Sequence, residues 1–272
     1  MSRGGGARRP AQWLHALGLA AMLALLAPAA QAGRACEEKA ADPKAVEKGL
    51  NLAVRTSRVL DATGAQVVVL ARAGQDLGKY GLRWSHLGFA YRDNDMANPG
   101  WRILHKLNHC GSAEASLYRQ GLGEFFLDAP HRYEAAYVIL APELQAKLLP
   151  LLKDNQRAAQ LNERSYNMLA YPWATRYQQS NQWAIETLAM AAGSGATRPQ
   201  AQAWLQAQGY QPTTLTLGAL TRLGARATAA NIAFDDHPND KRFSDRIETV
   251  TVDSVFAWLP RAGLGQAPVM MR

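Results

Sequence analysis

The run YQQSNQWAIETLAMAA, beginning at Tyr177, sets Gln178, Gln179, Ser180, Asn181 and Gln182 ahead of Trp183 and then becomes an alanine-rich helical pattern. Polar side chains at a helix start have two uses. They accept hydrogen bonds from the first unpaired backbone N–H groups, or they include a nucleophile held in the positive field of the helix N-terminus. A serine nucleophile depends on an aligned base, and beyond residue 32 the chain has only His86, His105, His109, His131 and His237. His86, in RWSHLGFAYRD, starts an alternating pattern that projects its ring from one sheet face together with Gly88 and Ala90. Those two small residues predict an open space beside the imidazole for a substrate. The competing reading is a packed histidine donating to a backbone carbonyl.

The elements that would carry these groups are legible in outline. Residues 43–58 repeat apolar positions at helical spacing behind Pro43. The period then changes: AQVVVLARAG reads as a buried strand, HLGFAYRD and WRILHKLN as two more, with turn residues between them. GLGEFFLDAP reads as a short helix or turn, EAAYVILA as a strand, and Pro142 opens a helix expected to run to about Leu161. QAQAWLQAQG is a short helix ended by Gly209, residues 213–230 are helical or loosely structured, and FDDHPNDKRFSDR is a charged surface loop. IETVTVDSVFAWLPR gives a strand and a helical turn. Short consecutive strands pair antiparallel, so the expected class is α+β, a small antiparallel sheet packed with helices in one domain over 33–272.

The first 32 residues carry Arg3, Arg8 and Arg9, the apolar run LGLAAMLALLAPAA and the small-residue site AQA. This is the pattern of a secretory signal peptide, which predicts a soluble periplasmic or secreted protein. No later stretch approaches the length of a transmembrane span. Removing the segment lowers the formal charge of the 272-residue chain from +8 to +5 by its three arginines. The remaining positive charge is mild and spread out, which argues against nucleic acid as the main partner and suits an anionic envelope. Cys36 and Cys110 are the only cysteines, and an oxidising compartment favours joining them; two unpaired thiols are the alternative. No second Cys or His pair at ligand spacing accompanies His109 and Cys110, so neither a metal nor another cofactor is expected.

GQDLGKYGLRWSHLGFAYRD resembles the first motif of circularly permuted papain-like hydrolases, the superfamily of NlpC-like cell-wall peptidases and lecithin:retinol acyltransferase-like enzymes. In its permuted members a His-x-Gly strand precedes a helix opened by the nucleophilic cysteine. Ser180 stands where that cysteine would be. More narrowly, SHLGFAYRD, WRILHKLN, YPWATRYQQSNQW and AIETLA, in this order, resemble the uncharacterised bacterial family "domain of unknown function 2145" over roughly residues 45 to 260.

The superfamily resemblance implies a Ser-His pair acting on an amide or ester bond, with Ser180 as nucleophile and His86 as base. A polar residue on the next strand would orient the ring. His105 and Asn108 lie on opposite faces of that strand by period-two counting, so only one can face the site; His105 is the better placed. Gln179 is the best oxyanion donor, with Asn181 a further donor or cap, while Tyr177 and Trp183 line a cleft or enter the core. Glu186 is expected on a different, solvated helical face. The loop around His237 could bind a cation, with a solvated loop as the plainer reading.

Serine in place of cysteine leaves two outcomes open. One is an exported hydrolase or acyltransferase acting on a cell-envelope component, peptidoglycan or lipid. The other is a catalytically inactive envelope protein of the same fold that binds a ligand or partner.

Overall fold

The computed structural model describes residues 42–94, 99–128 and 130–271. The expected signal peptide over 1–32 and Cys36 lie outside the described residues. Helix α1, Pro43–Ala62, starts at Asp42, whose carboxylate accepts from the Lys44 amide at 3.1 Å. Strand β1, Val67–Ala73, follows and is buried at all seven positions. A strand buried on both faces must sit inside a sheet covered by helices on both sides, and β1 does. It pairs antiparallel with β2, His86–Asp93, on one side and β5, Arg132–Ile139, on the other.

The sheet continues through β3, Gly100–Asn108, to β4, Ala115–Gly121. At the opposite edge β8, Val269–Met271, adds to β5. The six strands run antiparallel in the order β4-β3-β2-β1-β5-β8. The sheet is thus larger than the strand pattern of the sequence suggested, because β4 and β8 carry weak apolar alternation at exposed edges.

Strand alternation divides the core into two layers. Val68, Leu70, Ala90 and Ile103 face α1 and the short helix α2, Leu122–Leu127, through Leu52, Leu60, Phe125 and Phe126. Val67, Val69, Phe89 and Val138 face the opposite layer. That layer contains α3, Pro142–Lys153, and α5, Ser180–Ala192, joined by α4, Asn155–Ala159. The helix expected from Pro142 to Leu161 is broken at Asp154, which ends α3 and caps α4 by accepting from the Gln156 amide at 2.8 Å and the Arg157 amide at 3.2 Å.

Helix α6, Arg198–Ala207, and later α9, Val252–Arg261, complete the layer. Between them, β6 (Thr213–Thr216) and β7 (Arg246–Thr249) form a two-stranded ribbon, with α7 (Ala219–Thr228) and α8 (Asn239–Phe243) in the connection. Residues 213–216 are therefore strand rather than helix.

The charged segment around His237 is not simply a surface loop. The His237 ring is buried between Asp236, at 3.0 Å, and the Glu248 carbonyl, at 2.9 Å. Asp236 also accepts from the Tyr171 amide at 2.8 Å, so this cluster fastens the segment to the ribbon. Among the described residues, no group of three or more His, Cys, Asp or Glu could hold a metal ion, and no helix is long and apolar enough to cross a membrane.

Helix α5 is buried from Ser180 through Ala189, so it has no solvated face for Glu186. The expectation of a solvated Glu186 is corrected accordingly. Its carboxylate accepts from Arg198 Nε at 2.8 Å, Gln178 Nε2 at 2.6 Å and Gln202 Nε2 at 2.8 Å. Arg198 also donates to the carbonyls of Thr175 and Tyr177 at 2.7 and 3.0 Å, which ties the segment before α5 to the helix body. A buried charge is tolerated only when paired and hydrogen-bonded. Glu186→Ala strands the Arg198 guanidinium in the core and is expected to cost about 3–5 kcal/mol; urea unfolding of the two proteins measures it.

Candidate active site

The site forms where β2 begins, beside the N-terminus of α5. Gln179 is the N-cap, its Oε1 accepting from the Asn181 amide at 2.8 Å. Asn181 Oδ1 in turn accepts from the Leu87 amide at 3.2 Å, and its Nδ2 donates to the Val250 carbonyl at 3.3 Å. One side chain therefore fixes the strand residue next to His86 and the helix residue next to Ser180. The first N–H groups of a helix have no partner within it, and the Ser180 amide belongs to that first turn. Ser180 is 6% exposed, and its side chain lies against the buried Tyr166 hydroxyl. Burial raises the Tyr166 pKa, with Ser180 opposing in part, so the phenol keeps its proton at neutral pH.

His86 Nε2 meets His105 Nδ1 at 2.8 Å, and His105 Nε2 meets Gln120 Oε1 at 2.8 Å. Their chemistry orders the protons. A carbonyl oxygen only accepts, so His105 Nε2 carries a hydrogen and donates to Gln120. Burial, with the positive charge of Arg72 adding to it, pushes the His105 pKa down to about 4. A neutral His105 has one hydrogen, already on Nε2, and its Nδ1 accepts. His86 Nε2 is then the donor, and a neutral His86 carries its lone pair on Nδ1. Phe125 packs against both rings, with centroids 6.1 Å from His86 and 5.4 Å from His105.

The open space expected above Gly88 is not there. A Cβ at Gly88 would lie 2.8 Å from His105 Cβ and 2.8 Å from Ile103 Cγ2. The glycine admits the neighbouring strand and so allows the second imidazole to reach the first. The space for a ligand lies instead at the end of the strands, in a cavity of about 200 Å³ bordered by His86, Ser180 and Tyr166. A second cavity of about 260 Å³ adjoins the same three residues and extends to Arg72, Asp128 and Cys110. The His86 ring reaches this region from the α2 side of the sheet, whereas Ser180 comes from the α5 side.

Other sequence-derived candidates are placed elsewhere or differently. Asn108 turns toward the loop after β3, donating to the Ser112 and Glu114 carbonyls at 2.8 and 2.7 Å and accepting from Asn231 at 2.8 Å. Gln179, proposed from sequence as an oxyanion donor, directs its Nε2 to the Val250 carbonyl and to Thr249 Oγ1, because it is the cap. Trp183 is fully buried against Phe89 and donates to the Ala158 carbonyl at 3.3 Å, so it belongs to the core. Tyr177 stacks under Arg176 and reaches Asp235 at 3.5 Å, away from both cavities. Cys110 borders the polar cavity, and Cys36 lies outside the described residues.

Two residues were missed by sequence reasoning. Gln120 lies on β4, opposite Ile103, and the alternation in ASLYRQG was its only signal. Tyr166 lies in an irregular segment and gave no periodic signal at all.

A family profile described as an uncharacterized protein conserved in bacteria, DUF2145, matches residues 59–259. No curated protein and no solved structure matches the chain.

The lowered pKa of His105 has a consequence for stability. The unfolded chain takes up this proton near pH 6.5, the folded one only near 4. The linked stability is fully present above pH 6.5 and is lost as the pH falls toward 4, by roughly 3 kcal/mol. Urea unfolding at pH 7 and pH 4 is expected to show this difference in the wild type, reduced by about that amount in His105→Gln.

Proposed function

The chain belongs to the uncharacterised bacterial family of domain of unknown function 2145, and on that premise we propose that it is an exported hydrolase or acyltransferase acting on an amide or ester bond. Ser180 is the nucleophile, His86 the base, and His105 and Gln120 the residues that position the base. The observation that carries this reading is the hydrogen-bond chain from Gln120 through His105 to His86 Nε2, which orients the imidazole of a residue that borders the same cavity as Ser180. The arrangement of an antiparallel sheet bearing the histidines, packed with a helix opened by the nucleophile, supports a permuted papain-like relationship. Export and a Cys36–Cys110 disulfide are part of the same proposal.

In this mechanism Ser180 Oγ attacks the carbonyl carbon as its proton passes to His86 Nδ1. The imidazolium then donates from Nε2 to the lone pair of neutral His105, which stabilises the new charge. The Ser180 N–H and the Tyr166 hydroxyl serve the oxyanion, the latter in the role first assigned to Gln179. The proton on His86 goes to the departing amine or alcohol. Water or a second acceptor then resolves the acyl-serine. A catalytically inactive ligand-binding protein is the second reading, favoured by the contact of Ser180 with Tyr166.

A fluorophosphonate probe is expected to label the purified protein at one site. Ser180→Ala should abolish the labelling and His86→Ala should slow it by about 100-fold or more. Labelling that survives Ser180→Ala removes the nucleophile assignment, and an unlabelled wild type leaves the binding reading. Ser180→Cys provides an independent check, since a correctly placed imidazole makes that thiol react with iodoacetamide at neutral pH faster than a free cysteine does.

A further inference from the structure

The cavity beside Ser180 is largely apolar in its chemistry. Besides Ser180, His86 and Tyr166, its wall includes Leu77, Leu82, Leu169, Leu215, Leu217 and Phe234. Not one Asp, Glu, Lys or Arg is among its lining residues. Leu215, Leu217 and Phe234 also form a small core cluster of their own, against which Leu82 and Leu169 pack. Ligand sites combine an apolar enclosure with polar groups, and here the uncharged polar lining includes the residues proposed to do the chemistry.

Helix α7 borders this cavity. Thr221 and Ala225, one helical turn apart, line it, and no residue of α7 is buried. It rests on the protein by few contacts, with the Arg222–Asp245 ion pair and the Arg222 bond to the Leu217 carbonyl securing its first turn. A weakly packed element of this kind opens at low cost.

We propose that this cavity is an acyl-chain site, so that the group transferred to Ser180 is a long aliphatic acyl group held as an ester or amide. The inference rests on the catalytic reading for the transfer step, though not for the binding. Stem peptides of the cell wall carry carboxylates and amines, and a buried charge needs a partner that the wall of this cavity does not offer, Arg72 and Asp128 standing in the adjoining one. An alkyl chain needs none and gains from every methylene removed from water. Of the two envelope substrates considered from the sequence, the lining therefore selects lipid over peptidoglycan.

Full-length mature protein is the material for the test. Binding is read by the fluorescence of cis-parinaric acid methyl ester, an uncharged polyene acyl probe, and turnover by p-nitrophenyl esters of two to twelve carbons below their micellar concentrations. The wild type is expected to bind the probe. Ala225→Trp and Thr221→Trp, which fill the cavity from α7, should each weaken binding at least tenfold, with the melting temperature confirming that each variant folds. Specificity constants should rise about fourfold per added CH₂ until the cavity is full.

Probe binding without ester turnover keeps the acyl site and removes the catalytic reading. Turnover with no dependence on chain length, together with no probe binding, overturns the acyl site and leaves the catalytic reading standing. Binding unaffected by both tryptophan variants likewise overturns it, as does a charged muropeptide that competes with the probe.

Discussion

The site depends on a single 2.8 Å contact between two imidazoles. Two neutral rings can share a hydrogen bond only if one presents a hydrogen and the other a lone pair. Gln120 settles which by accepting from the far side of His105, and burial keeps His105 from taking a second proton. A buried, neutral histidine thus acts as an acceptor of fixed direction, doing for His86 what a carboxamide or carboxylate oxygen does elsewhere. Gly88 permits the arrangement, because any larger residue would collide with His105.

The second constraint is the attachment of α5 to β2. Asn181 holds Leu87 and Val250 at once, and Gln179 caps the helix while binding the same Val250 carbonyl. Behind them, the Glu186–Arg198 pair fixes the segment that enters the helix. The polar run from Gln178 to Gln182 therefore combines several uses. Gln178 joins the buried ionic network, Gln179 caps, Asn181 bridges to the sheet, and Ser180 is the one of these whose hydroxyl meets Tyr166 at the cavity.

Much of this architecture was legible in the sequence where the physics is local. The apolar run VVVLARA, the alternation of HLGFAYRD and the polar start of α5 each specify their element through neighbours close in the chain. What was not legible depends on partners far away in sequence. Gln120 acquires its role only by standing on the strand beside His105, and Tyr166 only because an irregular segment folds over Ser180. Glu186 reads as a solvated acid until Arg198 is brought to it. Gly88 was recognised as a small residue that makes room, but the room is filled by a neighbouring strand rather than by a ligand. The apolar cavity, assembled from the ribbon, α7 and the segment before β2, has no signature in any single stretch.

The most direct measurement is the protonation of the two rings, read from a long-range ¹H–¹⁵N NMR spectrum of the histidine side chains across pH. At neutral pH the chain of donors predicts His105 neutral with its hydrogen on Nε2, remaining so until about pH 4, and a neutral His86 also protonated on Nε2. A His105 that titrates near 6.5, or that carries its hydrogen on Nδ1, contradicts the account, since His86 would then have no acceptor to fix its direction.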